Sequence, residues 1–197
     1  MFFLATNPVI DCATTQSRAF NVSATASLTL EHLTLTNCGS ASLVSGGAIY
    51  SFEGSLALSN CIFSYNQANV DIGGGGAVYV EGGSLTVAST SFTSNSGCRG
   101  GAIYVKDLTT LTIQNVLFLS NTAIERAGAL EFVGSSALNY NIITDSNFTD
   151  NSAPDGSIYV TFGQLFVNNT GFYSNSVSRR GGAITVDNVA LLHAEVC

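Results

Sequence analysis

The phrase Gly46-Gly47-Ala48-Ile49-Tyr50 decides the fold, because it returns along most of the chain. Near-copies of it start at residues 75, 100, 127, 155 and 181. The second residue of every copy is glycine, and successive marker glycines lie 25 to 29 residues apart. They are Gly47, Gly76, Gly101, Gly128, Gly156 and Gly182. A fixed period of about 20 to 50 residues is typical of architectures in which similar units stack.

A second phrase, Phe-x-x-Asn, alternates with the first. An in-phase copy of it lies in each of the five intervals between marker glycines. Its residues are Phe63 and Asn66, Phe92 and Asn95, Phe118 and Asn121, Phe148 and Asn151, and Phe172 and Asn175. Two motifs that stay in phase over this many copies are not a chance pattern, so each interval is one structural unit.

The hydrophobic residues within each unit alternate with a period of two, which is typical of strands with one buried face. No window shows a sustained helical stripe. Each unit has room for three short strands and cannot bury its own apolar positions, so copies must stack. A propeller blade needs four strands and about 40 residues, and a leucine-rich repeat has one strand. The sequence therefore predicts an all-β parallel β-helix, a solenoid of about six to seven three-strand coils.

The period also assigns positions to the inside and the outside of the coils. The aliphatic residue after Gly-Gly-Ala and the residue two positions later are predicted to point inward, as are the Leu-x-Val strands and the phenylalanines. Tyrosines between the first two inward positions are predicted to point out: Tyr50, Tyr79, Tyr104 and Tyr159. The asparagines are predicted to form a ladder that bonds the backbone of the next coil, and the Gly-Gly pair allows positive φ at a corner.

The ends of the chain are less regular than its middle. Residues 1–26 are interpreted as a first coil or cap region, and residues 27–197 as the repeats, with an incomplete last coil. We expect the segment to belong to a longer chain or to have its end covered by a partner, since open solenoid ends are unpaired strand edges. Met1 to Pro8 lacks the basic region of a secretory signal, so none is predicted in this segment.

Composition limits the classes of function. The chain has 197 residues, of which 46% are hydrophobic and 10% charged, so it is folded rather than disordered. Its net charge is −7 and its basic residues do not cluster beyond Arg179-Arg180, so nucleic acid is not an expected partner. No apolar stretch reaches the roughly 18 to 20 residues of a membrane-spanning helix, so this segment is not expected to insert into a membrane.

The five cysteines are scattered, and none lies at the spacing of a zinc site. No metal and no cofactor is predicted. The odd count leaves at least one thiol unpaired within the chain, and the disulfide pairing and redox compartment stay open at this point.

The alternating Gly-Gly-Ala-Ile and Phe-x-x-Asn phrases resemble the repeat of the polymorphic outer membrane proteins, which are autotransporter-type adhesins, over residues of about 27 to 197. The stretch from Ile10 to Asn37 also resembles the first coil of right-handed β-helix domains. The resemblance implies a right-handed, single-stranded parallel β-helix. It further implies a secreted or surface-displayed passenger stalk engaged in adhesion.

Four groups of side chains are candidate sites. Four acidic residues fall five or six positions after a marker glycine and are candidate acids of a polysaccharide lyase or hydrolase: Glu53, Glu81, Asp107 and Asp187. Four arginines precede glycine phrases and form a candidate basic edge for an anionic glycan: Arg99, Arg126, Arg179 and Arg180. The tyrosines could stack on sugar rings. The loop from Gln67 to Gly75 is the longest and could carry specificity.

Each candidate also has a purely structural interpretation: a solvated turn for the acids, solubilising charge for the arginines, and cross-strand stacking for the tyrosines. The leading hypothesis is a non-enzymatic stalk whose partner is a glycan or protein on a host or neighbouring cell surface. A carbohydrate-active module is the second hypothesis. A filament unit that associates end to end is the third. The expected location is extracellular or at the cell surface.

Overall fold

The computed structural model describes residues 7–40, 42–43, 45–69, 71, 73–107, 110–134 and 140–195. These residues form 23 strands and no helix, and all the strand pairs are parallel. The strands in chain order are β1 (Val9–Asp11), β2 (Phe20–Val22), β3 (Ser27–Glu31), β4 (Thr34–Thr36), β5 (Ile49–Phe52), β6 (Ser55–Ser59), β7 (Ile62–Ser64), β8 (Val78–Glu81), β9 (Ser84–Ala88), β10 (Ser91–Thr93), β11 (Ser96–Gly97), β12 (Ile103–Lys106), β13 (Thr110–Gln114), β14 (Leu117–Leu119), β15 (Thr122–Ala123), β16 (Leu130–Val133), β17 (Tyr140–Thr144), β18 (Asn147–Thr149), β19 (Ser152–Ala153), β20 (Ile158–Asn168), β21 (Gly171–Tyr173), β22 (Ser176–Val177) and β23 (Ile184–Glu195).

Nineteen of the strands stack into three faces, and the two-residue strands β11, β15, β19 and β22, which follow face 3 in the chain, stack into a separate four-stranded sheet. Face 1 contains β2, β5, β8, β12, β16 and the first halves of β20 and β23. Face 2 contains β3, β6, β9, β13, β17 and the second halves of β20 and β23. Face 3 contains β1, β4, β7, β10, β14, β18 and β21. The described residues thus make six coils that each contribute to the three faces, with β1 before them and β23 after them, which confirms the predicted parallel β-helix.

Aliphatic side chains of faces 1 and 2 fill the interior as expected. Ile103, Val105, Leu111 and Ile113 have no exposed surface, and their neighbours above and below are also aliphatic in most coils. One predicted inward residue differs: Val186 in the last coil is 39% exposed, because no described coil stacks over it.

The phenylalanines of Phe-x-x-Asn form one continuous stack on the inner side of face 3. Their ring centroids are 4.5 to 5.2 Å apart and neighbouring rings are nearly parallel. This spacing matches the roughly 4.8 Å between strands, so register alone holds the rings in offset contact. Each fully buried ring contributes about 2 to 3 kcal/mol of transfer free energy.

The asparagines form the predicted ladder, and the ladder is buried. Asn95 Oδ1 accepts hydrogen bonds from the backbone N–H and the Nδ2 of Asn66, both at 3.0 Å. Asn95 Nδ2 donates to the carbonyl oxygen of Phe63 and to Asn121 Oδ1, also at 3.0 Å. The same pattern continues through Asn151 to Asn175. Each asparagine amide therefore bonds backbone N–H and carbonyl groups at a corner where the short strands leave these groups without a backbone partner.

The two glycines of the repeated phrase have different roles. Gly46, Gly75 and Gly100, the first of each pair, have φ between 56° and 63°, as predicted for a corner. The second glycine is required by close approach, because a Cβ at Gly76 would overlap the carbonyl oxygens of Gly101 and Ser96.

The N-terminal region belongs to the stack. Strand β1 pairs with β4, and β2 pairs with β5. A disulfide joins Cys12 to Cys38, and Cys38 occupies the position that the ladder asparagine has in later coils, since its N–H donates to Asn66 Oδ1. Residues 1–6 of the predicted cap region lie outside the described residues.

A buried asparagine interrupts one leucine position on face 2. Asn141 pairs in register with Leu111 and Leu165 and is 1% exposed. Its Oδ1 accepts the N–H of Leu111 at 3.0 Å, and its Nδ2 donates to the carbonyl oxygen of Gln164 at 2.9 Å. The side chain therefore binds the backbone of both neighbouring coils, which offsets the cost of burying an amide.

Candidate functional site

The predicted tyrosines form one row on the outer side of face 1. Tyr50, Tyr79 and Tyr104 are in register, then Glu131 takes the same position, followed by Tyr159. We call these five residues the tyrosine row. Its side chains point away from the interior, because the residues on either side of each one are buried in the coil.

The row is covered rather than exposed, so the expectation of an open aromatic platform is wrong for most of it. Tyr79, Tyr104 and Tyr159 are only 3 to 9% exposed, and Tyr50 is half-buried. The segments between the ladder asparagine and the glycine phrase cross over the rings. The backbone of Gly74, in the loop from Gln67 to Gly75, lies against the Tyr104 ring so closely that a Cβ would overlap it.

Aromatic and cationic contacts hold the row together. Tyr50 and Tyr79 stack with centroids 5.4 Å apart, and Tyr79 meets Tyr104 edge to face at 5.2 Å. Guanidinium groups lie 5.0 Å from two ring centroids, Arg18 over Tyr50 and Arg126 over Tyr159. Cross-strand stacking, the structural interpretation of the tyrosines, is therefore present along the row.

Glu131 is the one carboxylate in the row, and it is completely buried. Its Oε1 lies 3.1 Å from Arg126 Nη1, whereas Oε2 has no hydrogen-bond partner among the described residues. Burial raises the pKa of the Glu131 carboxyl to about 7, although Arg126 and Arg99 oppose the rise. A carboxyl with this pKa exchanges its proton near neutral pH.

The arginines of the predicted basic edge all pair with carboxylates, so the edge is not a free patch of positive charge. Arg99 donates to both oxygens of Glu125, at 2.6 and 3.1 Å. The ion pairs Arg179–Asp155 at 3.0 Å and Arg180–Asp187 at 2.9 Å follow on the later coils. Arg99–Glu125 and Arg179–Asp155 join residues one coil apart, whereas Arg126–Glu131 and Arg180–Asp187 join residues of the same coil.

The four candidate acids do not meet in one groove. Glu81 pairs with Lys106 at 2.9 Å and accepts a hydrogen bond from the Tyr79 hydroxyl at 3.0 Å. Asp107 lies 3.8 Å from the same Lys106. Glu53 is an exposed corner residue two coils before Asp107.

Asp187 lies four coils beyond Glu81 and belongs to a separate cluster. It accepts a hydrogen bond from the Tyr159 hydroxyl at 2.5 Å. That hydroxyl, with Arg180, lowers the pKa of Asp187 to about 2. The candidate acids therefore form two separate clusters, around Lys106 and around Arg180, and Glu53 belongs to neither.

The two free thiols that the structure describes, Cys61 and Cys98, are weak nucleophiles. Burial, with the Glu125 carboxylate 3.4 Å away, raises the pKa of the Cys98 thiol to about 11. Burial also raises the pKa of the Cys61 thiol. Thiols with raised pKa values are largely protonated at neutral pH, so neither is activated for attack. No group of three metal-ligating side chains occurs among the described residues.

Several interacting residues did not stand out in the sequence. Glu125 and Asp155 are the partners of the arginines, and Cys12 is the partner of Cys38. What could have revealed these ion pairs is that oppositely charged residues lie about one repeat apart in the sequence. Arg99 and Glu125 are 26 residues apart, and Arg179 and Asp155 are 24 residues apart. Cys12 and Cys38 are also one period apart, at 26 residues, but Cys38 and Cys61 are 23 residues apart, so the period alone did not select the pair.

The comparisons with known proteins agree with this architecture. No helix among the described residues is long and apolar enough to cross a bilayer. No curated protein and no solved structure shows significant similarity to the chain. The family model described as a right handed beta helix region matches residues 16–188, and the chain therefore belongs to the right-handed β-helix family.

Proposed function

We propose that this chain is a rigid, non-enzymatic β-helix stalk of a secreted or surface-displayed protein, of the adhesin or autotransporter-passenger type. The single observation that carries the proposal is that its repeated side-chain contacts connect neighbouring coils. The asparagine ladder, the phenylalanine stack and the ion pairs Arg99–Glu125 and Arg179–Asp155 join one coil to the next. Such groups make the coils a continuous rod rather than a framework around a reaction centre.

The distribution of the acids supports the same proposal. General acid–base chemistry on a polysaccharide needs carboxylates that converge on one groove. Here Glu81 and Asp187 lie on coils far apart, and each already accepts an ion pair and a tyrosine hydrogen bond.

Two features support a location outside the cytosol. The Cys12–Cys38 disulfide is typical of proteins from oxidising compartments. The alternating repeat phrases resemble those of polymorphic outer membrane proteins, and this finer assignment is part of the proposal. The partner would be a glycan or a protein on a host or neighbouring cell surface.

The proposal predicts that the chain adheres to cell surfaces or glycans and does not cleave them. Beads coated with the purified chain are applied to cell surfaces and to a glycan array, with and without calcium. In parallel, uronate-containing polymers are incubated with the soluble chain and analysed for shortened or unsaturated products. Saturable adhesion with no product supports the stalk. Product formation that disappears in the double variant Glu81→Gln, Asp107→Asn would replace it with the carbohydrate-active alternative.

That alternative has one specific observation in its favour, the placement of Glu81 and Asp107 around Lys106. The third hypothesis, end-to-end association, stays a prediction as well. Sedimentation velocity over a wide concentration range tests it, and a species that stays monomeric throughout would contradict it.

A further inference from the structure

We infer that the corner around Tyr65 is a binding site for a neutral sugar ring, the pyranose unit of an uncharged glycan. The site lies at the end of face 3, away from the tyrosine row. It does not depend on the proposed stalk function, since sugar binding is a property of the isolated chain in solution.

The first observation is an unusual residue at a repeated corner. The residue before the ladder asparagine has φ between 52° and 56° in every coil. The other coils place small or short polar residues there, namely Asn37, Ser94, Ser120, Asp150 and Ser174. Tyr65 has φ 56° and its side chain is bulky, a combination that is strained and rare. Its ring is 63% exposed, so packing does not explain why a tyrosine is there.

The second observation is a depression beside this ring. It is an open depression with a volume of about 530 Å³. Polar side chains line it, namely Gln16, Asn37, Ser40 and Gln67, and none of the residues that line it is charged.

The chemistry of this lining fits an uncharged sugar. A tyrosine ring offers an apolar face for the C–H groups of a pyranose, and its hydroxyl offers a polar edge. Amides both donate and accept hydrogen bonds, as sugar hydroxyls do. The side chains of Gln16, Gln67 and Tyr65 make no hydrogen bond to any other residue that the structure describes, so they are available to a ligand. An anionic sugar would need an arginine or lysine here.

The backbone around the depression is fixed before any ligand binds. Cys38, which lines the depression, is joined to Cys12 by a disulfide, and Gln67 donates its N–H to the carbonyl oxygen of Cys38 at 2.9 Å. Asn37 Nδ2 donates to Asp11 Oδ1 at 3.0 Å, which orients the amide. A rigid site loses little conformational entropy on binding.

Saturation-transfer NMR and isothermal titration with the whole chain test the inference. The probes are methyl glycosides of neutral hexoses and neutral oligosaccharides, with uronate and sulfated sugars for comparison. We expect saturable binding of at least one neutral sugar. Tyr65→Ser, which installs the residue of three other coils, should weaken that binding at least about tenfold, as loss of an aromatic anchor does. Tyr65→Phe should retain most of the affinity.

Tyr173→Ser is the matched control, because Tyr173 is 58% exposed but does not line the depression. It should bind sugar like the unmodified chain. No saturable binding to any neutral sugar, binding of anionic sugars or peptides alone, or equal binding by Tyr65→Ser would overturn the inference. Failure of cell adhesion with sugar binding intact would count against the stalk proposal only.

Discussion

Arg126 and Glu131 form an ion pair in which the carboxylate is fully buried and the guanidinium is not. The Nη1 and Oε1 atoms are 3.1 Å apart, and the Arg126 side chain is 29% exposed. Glu131 stands where other coils have tyrosine, between Tyr104 and Tyr159. A charge therefore interrupts an aromatic row, and its partner comes from the covering segment. Stability of this part of the rod becomes dependent on pH.

The first prediction concerns Glu131→Gln. The folded pKa of Glu131, about 7, lies above the usual 4.5, so the folded chain binds a proton that the unfolded chain has released. The stabilisation from this group is complete below pH 4.5 and is lost as pH rises to about 7. Between pH 5 and 8 the unmodified chain should lose about 2 to 3 kcal/mol of unfolding free energy relative to Glu131→Gln. Urea unfolding at several pH values measures this difference.

Glu53→Gln serves as the control, because Glu53 is an exposed carboxylate at a corner of the same face. The unfolding free energy of the Glu53→Gln variant should follow that of the unmodified chain between about pH 5 and 8. A Glu131→Gln difference that is constant with pH would contradict the prediction.

The second prediction concerns the centre of the ladder. Asn121→Ala would leave the N–H of Asn95, the carbonyl oxygen of Phe92 and part of the Asn151 amide unsatisfied in the interior. Each unsatisfied buried group costs about 1 to 3 kcal/mol, so the loss should exceed about 3 kcal/mol. Asn147→Ala, an exposed position on the next coil, should cost less than about 0.5 kcal/mol. Equal losses in urea unfolding would show that the ladder is not a stabilising element.

The third prediction concerns the marker glycines. Gly76→Ala would bring a methyl group into the backbone of the neighbouring coil and should abolish soluble folded protein or lower the melting temperature sharply. Gly182→Ala is the matched control in the last coil, where the nearest atoms to an added Cβ are 3.9 Å away. It should be neutral or stabilise by about 0.5 kcal/mol through the unfolded state. Comparable melting temperatures for the two variants would refute the close-approach role.

The fold could be predicted from the sequence because each coil repeats the same constraints. Ile103, Phe118 and Asn121 are found inside the coil where period and alternation place them. The burial of Tyr104 could not be predicted, since it depends on the path of the covering loops, and these loops vary in length from coil to coil. Exposure of a side chain on the outer face of a coil is decided by what crosses it, and periodicity carries no information about that.

The ion pairs were partly predictable from the sequence. Arg99 and Glu125 are one period apart, so stacking brings them together once the repeat is known. Arg126 and Glu131 are five residues apart on one coil, and only the turn at the glycine phrase folds one back onto the other. Residue type alone did not mark Tyr65 as a candidate site residue, because only its strained corner and its exposure distinguish it from the other tyrosines.

The fourth prediction concerns the disulfide. Cys12 and Cys38 are 26 residues apart, so reduction should release a loop whose closure stabilises the chain by about 3 to 4 kcal/mol. Dithiothreitol should lower the melting temperature and expose the first coil to proteolysis. The variant Cys12→Ser, Cys38→Ser should behave like the reduced chain and show no further response to dithiothreitol. An unchanged melting temperature on reduction would argue that later coils alone set the stability.

The last prediction separates the sugar site from the stability of the fold. Tyr65 occupies a left-handed corner with φ 56°, where asparagine is better tolerated than an aromatic residue. Tyr65→Asn should therefore raise the unfolding free energy by about 0.5 to 1 kcal/mol, as relief of this strain predicts. The same change should abolish binding of neutral sugars, because the ring is lost. Gain of stability with loss of binding is the pattern expected of a residue kept for a ligand. Tyr173→Asn should give neither effect, and a lower melting temperature for Tyr65→Asn would instead assign the ring a packing role.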